Sequence, residues 1–184
     1  MPNYCNYSMC VKGKKENIEE FVKVIQAHYD YNTMEFSHDR HLFRVFDAYY
    51  DEIEELADNS YQVVINGCCA WSVISCMFED GYYSDIKERF PNDCRGTTLP
   101  IESKRLNLDI EVYSDESGCC FQEHYVVIKG DVVCEESVDW YEYFIDEYDS
   151  KEEAEKNLDI EITDAEWQEG YASRGGFETW DFEI

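Results

Sequence analysis

The acidic residues of this chain are concentrated in one stretch. Between Asp131 and Glu169 there are sixteen Asp and Glu residues but only two basic ones, Lys151 and Lys156. The net charge of this stretch is −14, about half of the −27 that the whole 184-residue chain carries. A run of charge like this usually forms a solvated face. The stretch is therefore predicted to lie at the surface of whatever fold the chain adopts.

Two local patterns predict that the acidic stretch is folded. Ser150 is followed three residues later by Glu153, and Thr163 is followed in the same way by Glu166. This spacing matches the capping box, in which the two residues satisfy free backbone N–H groups at the start of a helix. Helical turns are therefore expected inside the stretch.

Aromatic residues are interleaved with the acids in this stretch. Tyr and Trp with a charged rim are typical of protein-binding surfaces, and solubility alone needs a net charge of only about 2 to 8. An interaction surface is therefore favoured over a face that is merely solvated, which is the alternative. The candidate partner-binding residues are Glu135, Glu136, Asp139, Trp140, Glu142, Tyr143, Asp146, Glu147, Asp149, Glu152 and Glu153.

The charge of the whole chain narrows the class of partner. With 42 acidic and 15 basic residues, direct binding to nucleic acid is disfavoured, whereas a basic protein surface would be attracted. Basic surfaces are most common on proteins that bind nucleic acid. No run of 18 apolar residues predicts a membrane span, and the N-terminal residues lack the pattern of a signal peptide. A cytoplasmic protein without membrane contact is expected.

The apolar residues outside the acidic stretch predict a single α+β domain. With 44% apolar residues, the chain can bury a core, which excludes disorder of the whole chain. A short apolar helix is predicted at Ala70–Phe78, and a further helix is predicted to begin at Thr98. An amphipathic first helix is indicated by four apolar residues with helical spacing, which are Ile18, Phe21, Val22 and Ile25.

Strands are predicted on both sides of these helices, from alternating or β-branched residues. They are expected at 4–11, 61–65, 108–113, 125–128, 132–134 and 180–184. The strand at 61–65 is expected to end in a turn at Asn66-Gly67. Residues 29–60 give no clear pattern, and residues 81–96 are predicted to form a loop.

Several segments of the chain resemble one known family. They are Met1–Asn6, Gly67–Val73, Phe121–Tyr125, Gly175–Phe177 and Trp180–Phe182. Together they resemble the YubB ferredoxin-like (Api-like) proteins of phages, plasmids and genomic islands, over nearly the full chain. Tyr4 stands where that family usually has Trp. The resemblance implies a ferredoxin-like antiparallel sheet with helices on one face and a mobile-element setting, and it transfers no catalytic residue.

The resemblance and the charge together predict three regions. Residues 1–134 form a ferredoxin-like α+β core, and residues 135–174 form an acidic, aromatic-rich insertion or helical element appended to it. Residues 175–184 are expected to form a terminal strand that returns to the core sheet.

The cysteines are predicted to be reduced thiols. Their number, nine, is odd, so they cannot all pair. Cys68-Cys69 and Cys119-Cys120 are adjacent pairs, which bridge only with strain. The alternative is a secreted, disulfide-bonded protein, which would usually show an even count in a shorter chain.

Three histidines raise the possibility of a metal site. His38 and His41 are three residues apart and His28 lies ten residues before His38, a spacing that could contribute to zinc binding. No Cys-x-x-Cys pair completes the set, and an exposed polar loop is the favoured interpretation. No metal and no cofactor are therefore predicted.

A thiol site is the other candidate chemistry. Cys68 or Cys69, at a tight turn into a helix, could have a lowered pKa and use His124 as a partner. Small packed residues are the favoured interpretation, because cysteine is often buried. Glu123 and His124 are adjacent in a predicted strand, so one is expected to face the helices and the other water.

The function predicted from these patterns is binding rather than catalysis. We expect a non-enzymatic acidic protein of a mobile element, located in the bacterial cytoplasm. It would inhibit a basic host protein, a nuclease or another nucleic-acid-binding defence protein, as an anti-CRISPR or anti-restriction protein that mimics nucleic acid. The alternatives are a thiol- or metal-dependent hydrolase that uses Cys68 or Cys69 with His124, and an accessory protein with no inhibitory role.

Overall fold

Strands outnumber helices in the part of the chain that the computed structural model describes, which is residues 3–33, 35–78 and 96–184. The strands are β1 (Tyr4–Gly13), β2 (Tyr29–Asp30), β3 (Glu35–Phe36), β4 (His41–Leu42), β5 (Val45–Tyr50), β6 (Glu54–Glu55), β7 (Tyr61–Ala70), β8 (Gly96–Thr97), β9 (Asp109–Glu116), β10 (Phe121–Ile128), β11 (Asp131–Phe144) and β12 (Tyr171–Gly175). The helices are α1 (Lys15–Ile25), α2 (Leu99–Leu106), α3 (Lys151–Leu158) and α4 (Asp164–Glu169), with a π-helical turn at Ile74–Phe78. The predicted loop at 81–96 lies, except for its last residue, outside the described residues.

The main sheet is antiparallel throughout. Its eight strands follow the order β12-β11-β10-β9-β1-β7-β5, and β6 also pairs with β7. The first strand is central, because β1 pairs with β7 on one side and with β9 on the other. Two short ladders, β2-β3 and β4-β8, lie outside this sheet. A mainly antiparallel sheet with a few helices is an α+β fold, the class that the sequence predicted.

Helices α1 and α2 pack on one face of the main sheet. The buried residues there include Cys5, Tyr7, Met9 and Val11 from β1, Ile18, Phe21, Val22 and Ile25 from α1, and Leu99 and Leu106 from α2. The α1 residues are those with the predicted helical spacing, so this prediction is confirmed. Burial of each large apolar side chain contributes about 1.5–3 kcal/mol.

A buried carboxylate attaches α2 to the segment before β4. Thr98 caps α2 as predicted, since its side chain accepts from the backbone N–H of Ile101. Glu102, in the first turn, has no exposed surface. It accepts from Nε of Arg40 at 2.6 Å and lies 2.6 Å from the guanidinium of Arg105. Because a buried charge is tolerated only when it is paired, these contacts fix α2 relative to Arg40.

The acidic stretch folds around a small core of its own. Its buried members are Ile145, Ala154 and Ile162, with Tyr143, Tyr148, Leu158, Ile160 and Trp167 packed against them. The predicted helix starts are confirmed: the Ser150 side chain caps α3, and Thr163 forms the reciprocal capping box of α4 with Glu166.

The predicted turn at Asn66-Gly67 does not form, because β7 continues through it to Ala70. A Cβ atom at Gly67 would lie 1.9 Å from the carbonyl oxygen of Asp47 and 2.5 Å from the hydroxyl of Tyr7. Glycine within a strand often marks such a close approach of another segment. Here Gly67 allows β5 to pair with β7 rather than ending the strand.

Two predicted region boundaries are also corrected. The expected boundary between residues 134 and 135 falls inside β11, which runs unbroken from Asp131 to Phe144. The strand expected at 175–184 is replaced by β12, which ends at Gly175, and residues 176–184 form no strand. The alternating residues Trp180 and Phe182 do not pair with any strand of the described chain. Their rings pack against the ring of Tyr113 on the face of the sheet.

Gly67→Ala should destabilise the protein by about 1–3 kcal/mol, because the added methyl group meets a backbone oxygen that moves only if β5 moves. Urea denaturation would measure this change. The control is Gly13→Ala, whose Cβ would meet the end of the Leu108 side chain, Cδ2 at 2.6 Å, but no backbone atom closer than 3.5 Å. Equal destabilisation by both substitutions would contradict the close-approach explanation.

Candidate functional site

The outer side of β11 is an unpaired edge of the sheet over most of its length. Its partner β12 pairs only with Trp140–Phe144, so residues 131–139 have no strand on that side among the described residues. Glu135, Glu136 and Asp139 are exposed there, and we call these three residues the acidic edge. Alternation along the strand places Glu135 and Asp139 on the face of Tyr125, and Glu136 on the face of His124.

The remaining candidate acids lie after β11. Asp146, Glu147 and Asp149 are exposed in the loop that leads to α3, and we call them the acidic loop. Glu152 and Glu153 are exposed in the first turn of α3, where carboxylates interact favourably with the helix dipole.

Three of the predicted binding residues are partly buried instead. Tyr143 packs against the small core of the acidic stretch. The carboxylate of Glu142 accepts from the hydroxyl of Tyr171 at 3.1 Å, and the side chain of Trp140 lies beside Gly176. The aromatic residues that are exposed on β11 are its neighbours Tyr141, 43% exposed, and Phe144, 65% exposed. The sequence did not single out Tyr141 and Phe144 as binding residues. Strand periodicity does not show which side chains, such as that of Tyr143, are buried by the small core of the acidic stretch.

Most of the exposed acids of this region have no counter-charge. Glu135, Asp139, Asp146 and Glu147 make no side-chain hydrogen bond or ion pair with another described residue. Nearby cations are engaged elsewhere: Lys151 pairs with Asp164, and Arg174 pairs with Glu166. The contact with Arg174 lowers the pKa of Glu166 to about 2.

The face of the main sheet opposite α1 and α2 is covered by the C-terminal segment, residues 176–184. The ring of Tyr113 in β9 stacks on that of His124 in β10, with centroids 4.0 Å apart. From the segment, Trp180 stacks on Tyr113 at 5.8 Å and Phe177 meets it edge-on at 5.7 Å. The side chain of His124 is therefore only 13% exposed, rather than facing water as expected for one of the two residues.

Glu111 anchors the end of this segment. Its carboxylate has no exposed surface, and one oxygen accepts the backbone N–H groups of Glu183 at 2.6 Å and Ile184 at 3.2 Å. The other oxygen lies 2.9 Å from Nε2 of His124. An ionised carboxylate only accepts hydrogen bonds, so in a neutral His124 ring this contact places the proton on Nε2 and leaves the lone pair on Nδ1.

The Nδ1 atom of His124 faces two further polar side chains. It lies 3.7 Å from Sγ of Cys134 and 3.9 Å from a carboxylate oxygen of Glu136. The ligand atoms of these three residues all lie within 4.8 Å of one another, and they form the candidate metal-binding group found among the described residues. We call His124, Cys134 and Glu136 the three-donor cluster.

The environment of Cys134 does not favour a nucleophilic thiolate. Burial, followed by the negative charges of Glu136, Glu111 and Glu183, raises the pKa of this thiol. Reactive cysteines have lowered pKa values and lie near positive charge. Cys134, His124 and Glu111 are therefore connected in the order of a catalytic triad. The surrounding negative charge, however, opposes formation of the thiolate that such a triad would need.

The cysteines and histidines that the sequence singled out are not brought together. Cys68 and Cys69 lie on β7, which is separated from the strand of His124 by β1 and β9, on the order of 14 Å away. Cys69 is completely buried. Burial, with a hydrogen bond to Asp47, raises the pKa of Cys68 to about 11.

The histidines of the 29–60 region are held by separate contacts. His41 is buried and stacks on Phe36, with centroids 3.6 Å apart. His38 lies 3.4 Å from Glu20 of α1 and contacts the backbone of Arg40. His28 is exposed, and the three histidines form no metal-binding group in the part of the chain that is described.

Glu123 faces the helices, as the strand alternation predicts. One oxygen of its buried carboxylate accepts from the backbone N–H of Val73 at 2.8 Å and from the Ser114 hydroxyl at 3.0 Å. The other accepts from the Tyr125 hydroxyl at 3.3 Å. Burial raises the pKa of Glu123 although all three contacts oppose the shift.

None of the described helices has the length and apolar character needed to cross a bilayer. Comparison with known proteins finds no matching family model, no matching curated protein and no matching solved structure.

Glu123→Gln should alter how stability depends on pH. Because the folded-state pKa of Glu123 is raised above its usual value of 4.5, the unfolded chain loses this proton first, and the contribution of Glu123 to the unfolding free energy falls as pH rises above that value. Relative to the natural protein, Glu123→Gln should therefore gain stability as pH rises above about 4.5. Denaturant titration at several pH values measures this difference. A difference between Glu123→Gln and the natural protein that does not change with pH would contradict the prediction.

Proposed function

We propose that this is a non-enzymatic binding protein that occupies the basic nucleic-acid channel of a host nuclease. The observation that supports the proposal best is the unpaired charge of the acidic edge and acidic loop. Glu135, Asp139, Asp146 and Glu147 have no partner among the described residues, and they are attached to folded backbone. Their field is therefore available to a basic partner and would accelerate its association.

The geometry of β11 also suits mimicry of nucleic acid. Successive residues of a strand rise by about 3.3 Å, and successive phosphates of one DNA strand rise by about 3.4 Å along the axis. Glu135, Asp139 and Glu142 are spaced by four and three residues, which corresponds to about 13 and 10 Å along an extended strand. Their carboxylates would therefore occupy about every third or fourth phosphate position of a basic channel.

Edge protection is a competing explanation for the same residues. Charged side chains on an unpaired strand prevent edge-to-edge association of sheets, and this role needs no partner. Lysine protects an edge as well as glutamate does, whereas only a negative side chain would attract a basic channel. Charge reversal therefore separates the two explanations.

The ferredoxin-like arrangement and the mobile-element setting are part of this proposal. The strand order β9-β1-β7-β5, with α1 following β1 and α2 preceding β9, supports a ferredoxin-like unit. The mobile-element setting, and with it an anti-CRISPR or anti-restriction role in the bacterial cytoplasm, depends on the sequence resemblance alone. The hydrolase alternative with Cys68 or Cys69 receives no support from the distance to His124.

The test is capture and inhibition with a charge-reversed variant. Glu135, Asp139, Asp146 and Glu147 are replaced together by Lys. The natural protein, immobilised and exposed to bacterial lysate, should retain nucleic-acid-binding proteins that excess duplex DNA elutes. The variant should lose them because its field is reversed. Purified captured nuclease should then be inhibited in DNA cleavage by the natural protein only, more weakly as salt is raised.

The control carries the same change of charge at the opposite edge of the sheet. Asp51, Glu52, Glu54 and Glu55 are exposed around β6, and their replacement by Lys should leave capture and inhibition nearly intact. Both variants should keep the oligomeric state of the natural protein. Equal binding by the natural protein and the β11 variant would reject this surface, and no inhibition by either would favour an accessory protein.

The exposed aromatic residues allow a separate prediction. Tyr141→Ala or Phe144→Ala should weaken binding to the captured partner by 2 kcal/mol or more, about 30-fold, if either side chain is an anchor, while stability changes by less than about 0.5 kcal/mol. Tyr143→Ala should instead lower the melting temperature, because its ring packs on the small core. Calorimetric binding and thermal unfolding of the three variants measure both effects. Loss of binding only with Tyr143→Ala would overturn this assignment.

A further inference from the structure

We propose that His124, Cys134 and Glu136 bind one zinc ion on the face of the sheet beneath the C-terminal segment. The proposal does not depend on the proposed function, although Glu136 also belongs to the acidic edge, and it departs from the sequence prediction that no metal is bound. It depends on the distances between three donor atoms and on the contacts that orient the histidine.

The donor atoms are already close to the separation that a tetrahedral zinc ion requires. With Zn–N and Zn–O distances of about 2.0–2.1 Å and a Zn–S distance of about 2.3 Å, tetrahedral ligand atoms lie about 3.3–3.6 Å apart. The observed separations from Nδ1 of His124 are 3.7 Å to Cys134 and 3.9 Å to Glu136. These two separations exceed the tetrahedral values by only a few tenths of an ångström, and all three donor atoms lie within 4.8 Å of one another.

The second nitrogen of His124 has the partner that metal-binding histidines usually have. Such histidines donate their other N–H to a carboxylate, which fixes the ring and makes the ligand nitrogen more basic. The buried carboxylate of Glu111 lies 2.9 Å from Nε2 of His124, and it is held in turn by the backbone of Glu183 and Ile184. Nδ1 is therefore presented as a lone pair toward Cys134 and Glu136.

The β10-β11 hairpin positions the two remaining ligands. His124 is directly opposite Glu136, and Val126 is directly opposite Cys134. Between Val126 and Val127 the register shifts, so that Val133 is an extra residue in β11. A bulge of this kind redirects neighbouring side chains, and here it lies next to Cys134. Without the bulge, the register of Cys134 relative to His124 would differ by one residue.

The chemistry of the donor set selects zinc over the hard cations. Thiolate and imidazole are preferred by zinc and related metals, whereas magnesium and calcium prefer oxygen ligands only. Three protein ligands leave a fourth position for water, as in zinc sites that are open to solvent. The side chain of Glu136 is 59% exposed, so this position faces the solvent side of the cluster.

The experiment titrates the purified, metal-stripped protein with zinc, and separately with cobalt as a spectroscopic substitute, in a large excess of magnesium. One equivalent should bind. The cobalt form should show the intense absorption of a tetrahedral site together with a thiolate charge-transfer band. Cys134→Ser should remove that band. Cys134→Ser or Glu136→Gln should also weaken zinc binding by at least 10–100-fold, because loss of a residue that only hydrogen-bonds to a metal ligand already costs about that much.

Matched controls separate the cluster from adventitious binding to other thiols and acids. Cys119→Ser removes an exposed thiol, and Glu135→Gln removes the adjacent acid on the other face of β11, so both should retain the affinity of the natural protein. The β11 charge-reversed variant keeps all three donors and should retain it also. Glu111→Gln should weaken binding less than Cys134→Ser, and circular dichroism checks its fold.

Two results would overturn the proposal. One is zinc affinity that is the same in the natural protein and in Cys134→Ser. The other is a weak cobalt spectrum typical of octahedral oxygen ligands, without a thiolate band. Either result would mean that Cys134 and His124 form only a thiol-to-imidazole hydrogen bond.

Discussion

The buried carboxylate of Glu111 joins parts of the molecule that are remote in sequence. It belongs to β9, accepts the backbone N–H groups of Glu183 and Ile184, and contacts His124 of β10. A buried carboxylate without partners would strongly destabilise the fold. The C-terminal segment must therefore remain on this face, and with it the aromatic rings that cover Tyr113. The orientation of His124, and hence of the three-donor cluster, follows from the same contacts.

The unpaired charge of β11 is compatible with a stable fold because the two cores are formed elsewhere. The large core lies between the sheet and α1 and α2, and the small one lies around Ile145. Neither core needs Glu135 or Asp139 to be neutral or paired. Repulsion at the acidic edge is reduced by solvent and salt. The edge can thus carry a net charge that would not be tolerated inside either core.

Local signals explain the parts of the fold that the sequence predicted. The spacing of the α1 residues and the caps at Thr98, Ser150 and Thr163 depend only on neighbours a few residues away. The strands expected at 125–128 and 132–134, which are parts of β10 and β11, were predicted for the same reason. The exact pairing was not accessible, because the bulge at Val133 has no distinct sequence signal.

The sequence by itself determined the α+β class, the position of the charge and the orientation of Glu123 away from His124, since these follow from periodicity and composition. Only the tertiary structure decided that Gly67 lies within a strand, that residues 176–184 cover a sheet face, and that His124 meets Cys134 rather than Cys68. These features depend on register and on contacts between distant segments. A one-residue change of register moves a side chain to the other face of a sheet, and that choice is made by the packing of the whole fold.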